Sequence, residues 1–205
     1  MSSSALYEFD RQFFREGVRL LCGIDEAGRG PLAGPVVAAA TVFAKGVSIP
    51  GVADSKTLSE ERREALYDVI LTKAVEVRVG IVGPGTIDRI NILAATHKAA
   101  KAALSRLVAK PDLIITDYLN LKRVQAPLKF FVRGDAISHA IAAASIIAKV
   151  TRDRLMMEYH ERFPQYNFAR NKGYGTREHM EALAKSGPCE IHRLTFKGVT
   201  GRDIF

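Results

Sequence analysis

The sequence predicts an α/β domain: a five-stranded mixed sheet flanked by helices, with a helical C-terminal part. Three observations carry that expectation. Strand-like runs with short links come first, helices and strands alternate after them, and only helical segments follow Pro164. At 205 residues, 47% hydrophobic and 25% charged, the chain suffices for one well-cored domain with a small appendage.

Taken in order, residues 1–19 read as an N-terminal helical extension. Their acids and arginines interrupt the apolar stretch that a signal peptide needs. Residues 20–24 (LLCGI) and 35–43 (PVVAAATVF) read as strands separated by a glycine-rich bend. In residues 74–83 (AVEVRVGIVG), Val75, Val77, Val79 and Ile81 share one side, the period of a half-buried strand. Before it, LSEERREALYDVILTKA offers Ser59 as the cap of a helix. Residues 86–109 read as one longer helix, closed by Pro111. DLIITD (112–117) and LKFFVRGD (128–135) are short apolar runs that each end in an acid. Residues 138–163 form a long helix whose first half, AIAAASIIAKV, is small and apolar and should be buried in close packing. Pro164 breaks it, and TREHMEALAKSG makes a last helix. The first three strands form an antiparallel meander. The later two, each arriving after a helix, join in parallel through right-handed crossovers. The core then spans residues 20–163 and the helical tail 164–205.

A net charge of +8 and a pI near 9.6 favour a polyanionic partner, with nucleic acid the lead. Cys22 and Cys189 alone cannot complete a zinc site and define no disulfide framework, so free thiols in a reducing compartment are expected. The longest apolar runs, 35–44 and 140–148, are too short to span a bilayer. The chain reads as cytoplasmic, with no membrane partner. His97, His139, His160, His179 and His192 are scattered and are expected as helical or core residues with no catalytic role.

The segment CGIDEAGRGPLAG (22–34) carries the chemistry. Ligands of open α/β sheets bind at the carboxyl ends of parallel strands. Asp25 and Glu26 end the first strand, Asp117 ends the fourth and Asp135 follows the fifth, so four acids converge. Two carboxylates about 4 Å apart repel by roughly 4 kcal/mol at an effective dielectric near 20. Either some are protonated, as in acid proteases and glycosidases, or a cation neutralises them. An all-oxygen pocket suits magnesium or manganese over zinc. Two such ions can activate a water and stabilise the leaving oxygen in phosphodiester hydrolysis. Gly28 to Ala33 also fit the dinucleotide-binding pattern of an oxidoreductase. The adjacent acids have the wrong sign for a pyrophosphate, however, and Pro-Val-Val is a poor helix start.

GIDEAGRGPLAGPVVAAA resembles the signature of type 2 ribonuclease H, the bacterial ribonuclease HII kind. DSKTLS (54–59), IDRINILAAT (87–96), IIAKVTRDR (146–154) and NKGYGTREHMEAL (171–183) resemble further family segments in order, over roughly residues 20–195. The resemblance implies a ribonuclease H-like sheet and a metal-dependent endonuclease. Its partners would be RNA–DNA hybrid and ribonucleotide-containing duplex DNA, and its products 3′-hydroxyl and 5′-phosphate ends. It implies Asp25, Glu26, Asp117 and Asp135 as catalytic metal ligands for two Mn2+ or Mg2+ ions, with Asp25 bridging. Gly28, Arg29 and Gly30 would read the ribose 2′-hydroxyl through their backbone. Tyr174 would stack on the sugar after the ribonucleotide, and Lys56 would lie near the scissile phosphate. The C-terminal segment would contribute to substrate binding, and the enzyme would be a monomer. One departure is Tyr118, which stands where the family commonly has glycine after the third acid. A resolvase- or transposase-type nuclease, or a silent binder on the same fold, are the rivals; the bend, Tyr174 and the intact acids oppose them. Lys122, Arg123, Lys129 and Arg133, and further on Arg152, Arg154, Arg170, Lys172 and Arg177, are as a group expected to grip phosphates, while each taken singly reads as a surface charge.

Overall fold

A computed structural model describes residues 3–200; the outermost residues of the predicted N-terminal extension and of the tail, 1–2 and 201–205, lie outside the described residues. Helix α1 (Ser3–Arg15) precedes strands β1 (Leu20–Ala27) and β2 (Val36–Ala44). Helix α2 (Glu60–Lys73), strand β3 (Glu76–Val82) and helices α3 (Pro84–Ile90) and α4 (Ile92–Ser105) follow. Then come β4 (Leu113–Asp117), β5 (Leu128–Phe131), the long α5 (His139–Arg162), the short α6 (Phe168–Asn171) and α7 (Arg177–Ser186).

The five strands form one sheet in the order β3-β2-β1-β4-β5, with β1 at its centre. The β1–β2 and β2–β3 pairs are antiparallel, and the β1–β4 and β4–β5 pairs are parallel, as the sequence order predicts. The connection to β5 departs from expectation. Residues 118–127 contain no helix; they cross as a loop anchored by buried Leu119 and Leu121 and by the Thr116 hydroxyl donating to the Leu119 carbonyl at 2.7 Å.

Both faces of the sheet are covered, because side chains alternate along each strand. Leu21 of β1 joins the core under α5, α1 and α2, while Cys22 and Ile24 join the core under α4. Close approach replaces bulk at two places. A Cβ on Gly23 would lie 2.2 Å from the Ala140 carbonyl carbon, and one on Gly80 would lie 2.0 Å from the Ala99 carbonyl oxygen. The run from Ala140 to Ala148 is buried throughout, with Ser145 its single polar member. In β3, Val77 and Val79 face the α5 side as the alternation predicts, but Ile81 is half exposed at the sheet edge, as is Val75 just before the strand.

The single helix expected over 86–109 is two. Asn91 takes a left-handed backbone (φ 65°) and its side chain accepts from the Ala94 amide, so it ends α3 and caps α4. The tail builds a third, small core from Tyr166, Phe168, Leu183 and Ile191 against Ala33 and Met156. That core ties the tail to the bend after β1.

Candidate active site

The strand register explains which acids meet. Ile24 pairs with Thr116, which sets Asp25 of β1 beside Asp117 at the end of β4. Asp117 in turn faces Phe131 of β5, and a 3-10 turn after that strand carries Asp135. Carboxylate oxygens of Asp25, Asp117 and Asp135 all lie within 4.8 Å of one another. Glu26 is not part of this trio, since neighbours on a strand point to opposite faces. It lines the same cleft, close enough to Asp25 and Asp117 for their charges to act on one another.

Few protein groups balance this charge. The Glu26 amide donates to Asp25 Oδ1 at 2.8 Å and the Gly134 amide to Asp117 Oδ1 at 2.9 Å. Lys56 Nζ reaches Asp135 Oδ2 at 3.2 Å, and Arg29 Nη1 reaches Glu26 Oε1 at 3.3 Å. Burial, reinforced by Glu26 and Asp117, raises the Asp25 carboxyl well above the usual carboxylate range. Burial also raises Glu26, against the pull of Arg29, and raises Asp135, where Asp54 adds to it and Lys56 opposes it. Glu26 Oε2 is buried with no hydrogen-bond partner. A buried acceptor left empty beside three converging carboxylates is the environment a hard divalent cation completes, and the donors are all oxygen. The residues present therefore fit Mn2+ or Mg2+.

The bend and the tyrosine line the same cleft, a space of about 320 Å³ bounded by Asp25, Glu26, Gly28, Arg29, Gly30, Lys56, Asp117 and Tyr174 among others. Gly28 has φ +96°, and a Cβ there would lie 2.2 Å from Arg152 Nε. Gly30 is different: an added Cβ would meet only the Tyr174 ring, at 3.7 Å. The amides of Arg29 and Gly30 donate no hydrogen bond within the described residues and are free for a ligand.

Two buried arginines hold this arrangement, and neither role was legible in the sequence. Arg193, 0% exposed, donates to the carbonyls of Gly28, Arg29, Pro31 and Gly34 at 2.6–3.0 Å. Arg152, expected to grip phosphate, is 1% exposed and donates instead to the carbonyls of Ala33, Pro35 and Lys172. With its carbonyls taken from behind, the bend keeps its amides for the cleft. Nothing in the sequence sets Arg193 apart from other cations of the tail, such as Lys185, Lys197 and Arg202. Other expected phosphate contacts are also engaged: Arg154 pairs with Glu64 and Arg177 with Glu181. Lys122, Arg123 and Arg133 are exposed and form no ion pair among the described residues. Lys149 lines the cleft and donates to Asp153 at 2.7 Å, and it too was missed.

A mixed sheet of this order, with carboxylates gathered at its central strand ends in a cleft shared with Arg29, Lys56 and Lys149, defines a metal-dependent nuclease of the ribonuclease H-like class. The family model described as Ribonuclease HII matches residues 22–199. The chain belongs to the ribonuclease HII family. It is 53% identical to the ribonuclease HII of Geotalea uraniireducens over 195 residues, 95% of this chain and 90% of that one. Its fold is similar to the crystal structure of ribonuclease H2 from Pyrococcus horikoshii OT3, with TM-score 0.77, 26% identity, and coverage of 88% of this chain and 95% of that one. It is also similar to the structure of the PCNA:RNase HII complex from Archaeoglobus fulgidus, with TM-score 0.74, 27% identity, and coverage of 87% and 95%. The enzyme is a ribonuclease H endonuclease, dependent on a divalent metal and acting on RNA–DNA hybrids.

Proposed function

We propose that the enzyme incises on the 5′ side of single ribonucleotides embedded in duplex DNA, leaving 3′-hydroxyl and 5′-phosphate ends. The observation that carries this reading is the sharing of one cleft by the acid cluster, the Gly28-Arg29-Gly30 bend and Tyr174. Asp25, Asp117 and Asp135 would hold the metal, with the unpartnered Glu26 Oε2 completing the donor set. Divalent ions bound there supply neutralisation of the carboxylates and activation of the attacking water and leaving oxygen. The free amides of Arg29 and Gly30 meet a 2′-hydroxyl oxygen, which DNA lacks. The Tyr174 ring, half exposed beside Gly30, offers a flat apolar face to the next sugar. Lys56, tethered to Asp135, would bring a cation to a phosphate entering the cleft.

Every one of these groups comes from a single chain, which supports action as a monomer. A cytoplasmic location is part of the same proposal, and no helix among the described residues is long and apolar enough to cross a membrane. The C-terminal segment after Pro164 contributes Tyr174 and, through Arg193, the shape of the bend. A labelled duplex carrying one ribonucleotide, incubated with Mn2+, Mg2+ or chelator, tests the reading. Metal-dependent 5′ incision with all-DNA duplex left intact is expected; equal cutting of both duplexes overturns it.

A further inference from the structure

Two buried histidines take no part in the acid cluster, yet they meet behind Tyr174. His179 on α7 and His192 in the segment beyond it are 0% and 2% exposed. Their Nε2 atoms lie 3.0 Å apart, so one ring donates and the other accepts. The ends of the pair decide which. His192 Nδ1 accepts from the Cys189 amide at 2.9 Å; the Cys189 carbonyl is farther from it, at 3.3 Å, and already accepts from the His192 amide, so that nitrogen is left unprotonated. His192 Nε2–H therefore donates to His179 Nε2. His179 keeps its proton on Nδ1 and donates it to the Tyr174 carbonyl at 2.8 Å. One continuous chain thus runs from the Cys189 amide through both neutral rings to Tyr174.

A second proton on either ring would set two donors face to face. Nor do the surroundings favour one: Tyr166 and Phe168 pack against the rings, the Tyr166 hydroxyl is committed to the Gly187 carbonyl, and the Cys189 thiol lies 3.2 Å from His192 Nδ1. Burial pushes His192 down to about 4 and lowers His179. The chain also joins two elements. Its His192 end pairs with Ala33 and adjoins Arg193, which holds the bend. Its other end reaches the turn of Tyr174, whose carbonyl also accepts from the Thr176 amide.

We infer that His179 and His192 are positioning residues that set Tyr174 in register with the Gly28-Arg29-Gly30 bend, and so determine recognition of the ribonucleotide-to-DNA junction. This rests on the reading of Tyr174 proposed above. Two measurements test it. In nitrogen-15 spectra at pH 7, His179 should carry its proton on Nδ1 and His192 on Nε2; the same tautomer in both, or an imidazolium in either, overturns the inference. In kinetics, kcat/KM is compared on a single-ribonucleotide duplex and on a long RNA–DNA hybrid. His179→Leu should lower the ratio of the two about tenfold, as misplacement of a positioning group does. His179→Asn, whose amide can still donate to the Tyr174 carbonyl, should restore most of it. If His179→Leu does not fold, His179→Ala, which removes the donor to the Tyr174 carbonyl without adding an apolar branch, carries the same expectation. Equal losses on both substrates, or no rescue by asparagine, overturn the inference. Tyr174→Ala separates the two ideas. Should it leave the ratio unchanged, the reading of Tyr174 fails and this inference with it; should it shift the ratio while the histidine variants do not, only the inference fails.

Discussion

Asp25 shows how function and stability oppose each other at a single residue. Its carboxyl is buried among acids and answered by one amide, so without metal it destabilises the fold it serves. Asp25→Asn should abolish measurable cleavage, a loss of about a thousandfold or more. The same variant should melt higher than the wild type in chelator and lose the stabilisation that Mn2+ gives; a lower melting point in chelator would contradict the electrostatic account. The two glycines of the bend separate by the same logic. Gly28→Ala forces a side chain into a left-handed backbone and against Arg152, and should cost about 2 kcal/mol in denaturant unfolding. Gly30→Ala meets only the Tyr174 ring at ordinary contact distance, so the fold should be unaffected while the methyl group occupies the cleft. A drop in kcat/KM with an unchanged unfolding midpoint is expected for it. The glycines were visible in the sequence as a pair, but only their surroundings show that one serves the backbone and the other serves the space.

At the scale of elements, α5 is the member on which the others are assembled. Its buried first half packs on β1 and β2, and α1 anchors its start through Asp10, whose Oδ2 accepts from the Ala140 amide at 2.8 Å. Asp10 Oδ1 is buried without a partner, and burial pushes the carboxyl to about 7 from the ordinary 3.8. The folded protein therefore binds the extra proton between those values, and stability falls as pH rises through that window. His139 works in the opposite sense. Its Nε2 accepts from the Ile49 amide at 3.0 Å, and burial lowers it to about 4 from 6.5, so stability is lost as pH falls through that range. Asp10→Asn should be more stable than the wild type at pH 7 by about 2 kcal/mol, with the advantage shrinking towards pH 4. Urea unfolding across that range checks it, and an advantage that grows towards acid pH would refute the assignment. The α5 boundaries were legible because Ser138 caps it and Pro164 follows its end. The break at Asn91 was not, since nothing in the alanine-rich pattern of 86–109 requires a left-handed residue. The helix-free crossing to β5 was likewise hidden, because loop residues carry no period.

For the whole molecule, the positive charge is not spread evenly over its uses. Residues 118–134 contain no acid; Arg133 stands exposed two residues before Asp135, whereas Arg123 lines a hollow with Lys101, Leu104 and Ser105 at the far end of the crossing loop. Arg133→Ala should weaken duplex binding at low salt and reduce the slope of log affinity against log salt by about one. An unchanged slope in binding titrations would place Arg133 off the nucleic-acid path. By itself the sequence determined the sheet with its helices and the acids at strand ends, because alternation, capping and strand-end position are local properties written in neighbouring residues. It also marked Gly28, Gly30, Lys56 and Tyr174, through the likeness of several separate segments to one family. Only the tertiary structure decided that Asp25, Asp117 and Asp135 form the tight group while Glu26 lines the cleft outside it. It alone turned Arg152 and Arg193 inward to hold carbonyls and joined His179 to His192. Register, side-chain burial and hydrogen-bond partners depend on residues far apart in the chain, and a cation reads the same in sequence whether it meets a phosphate or a buried backbone.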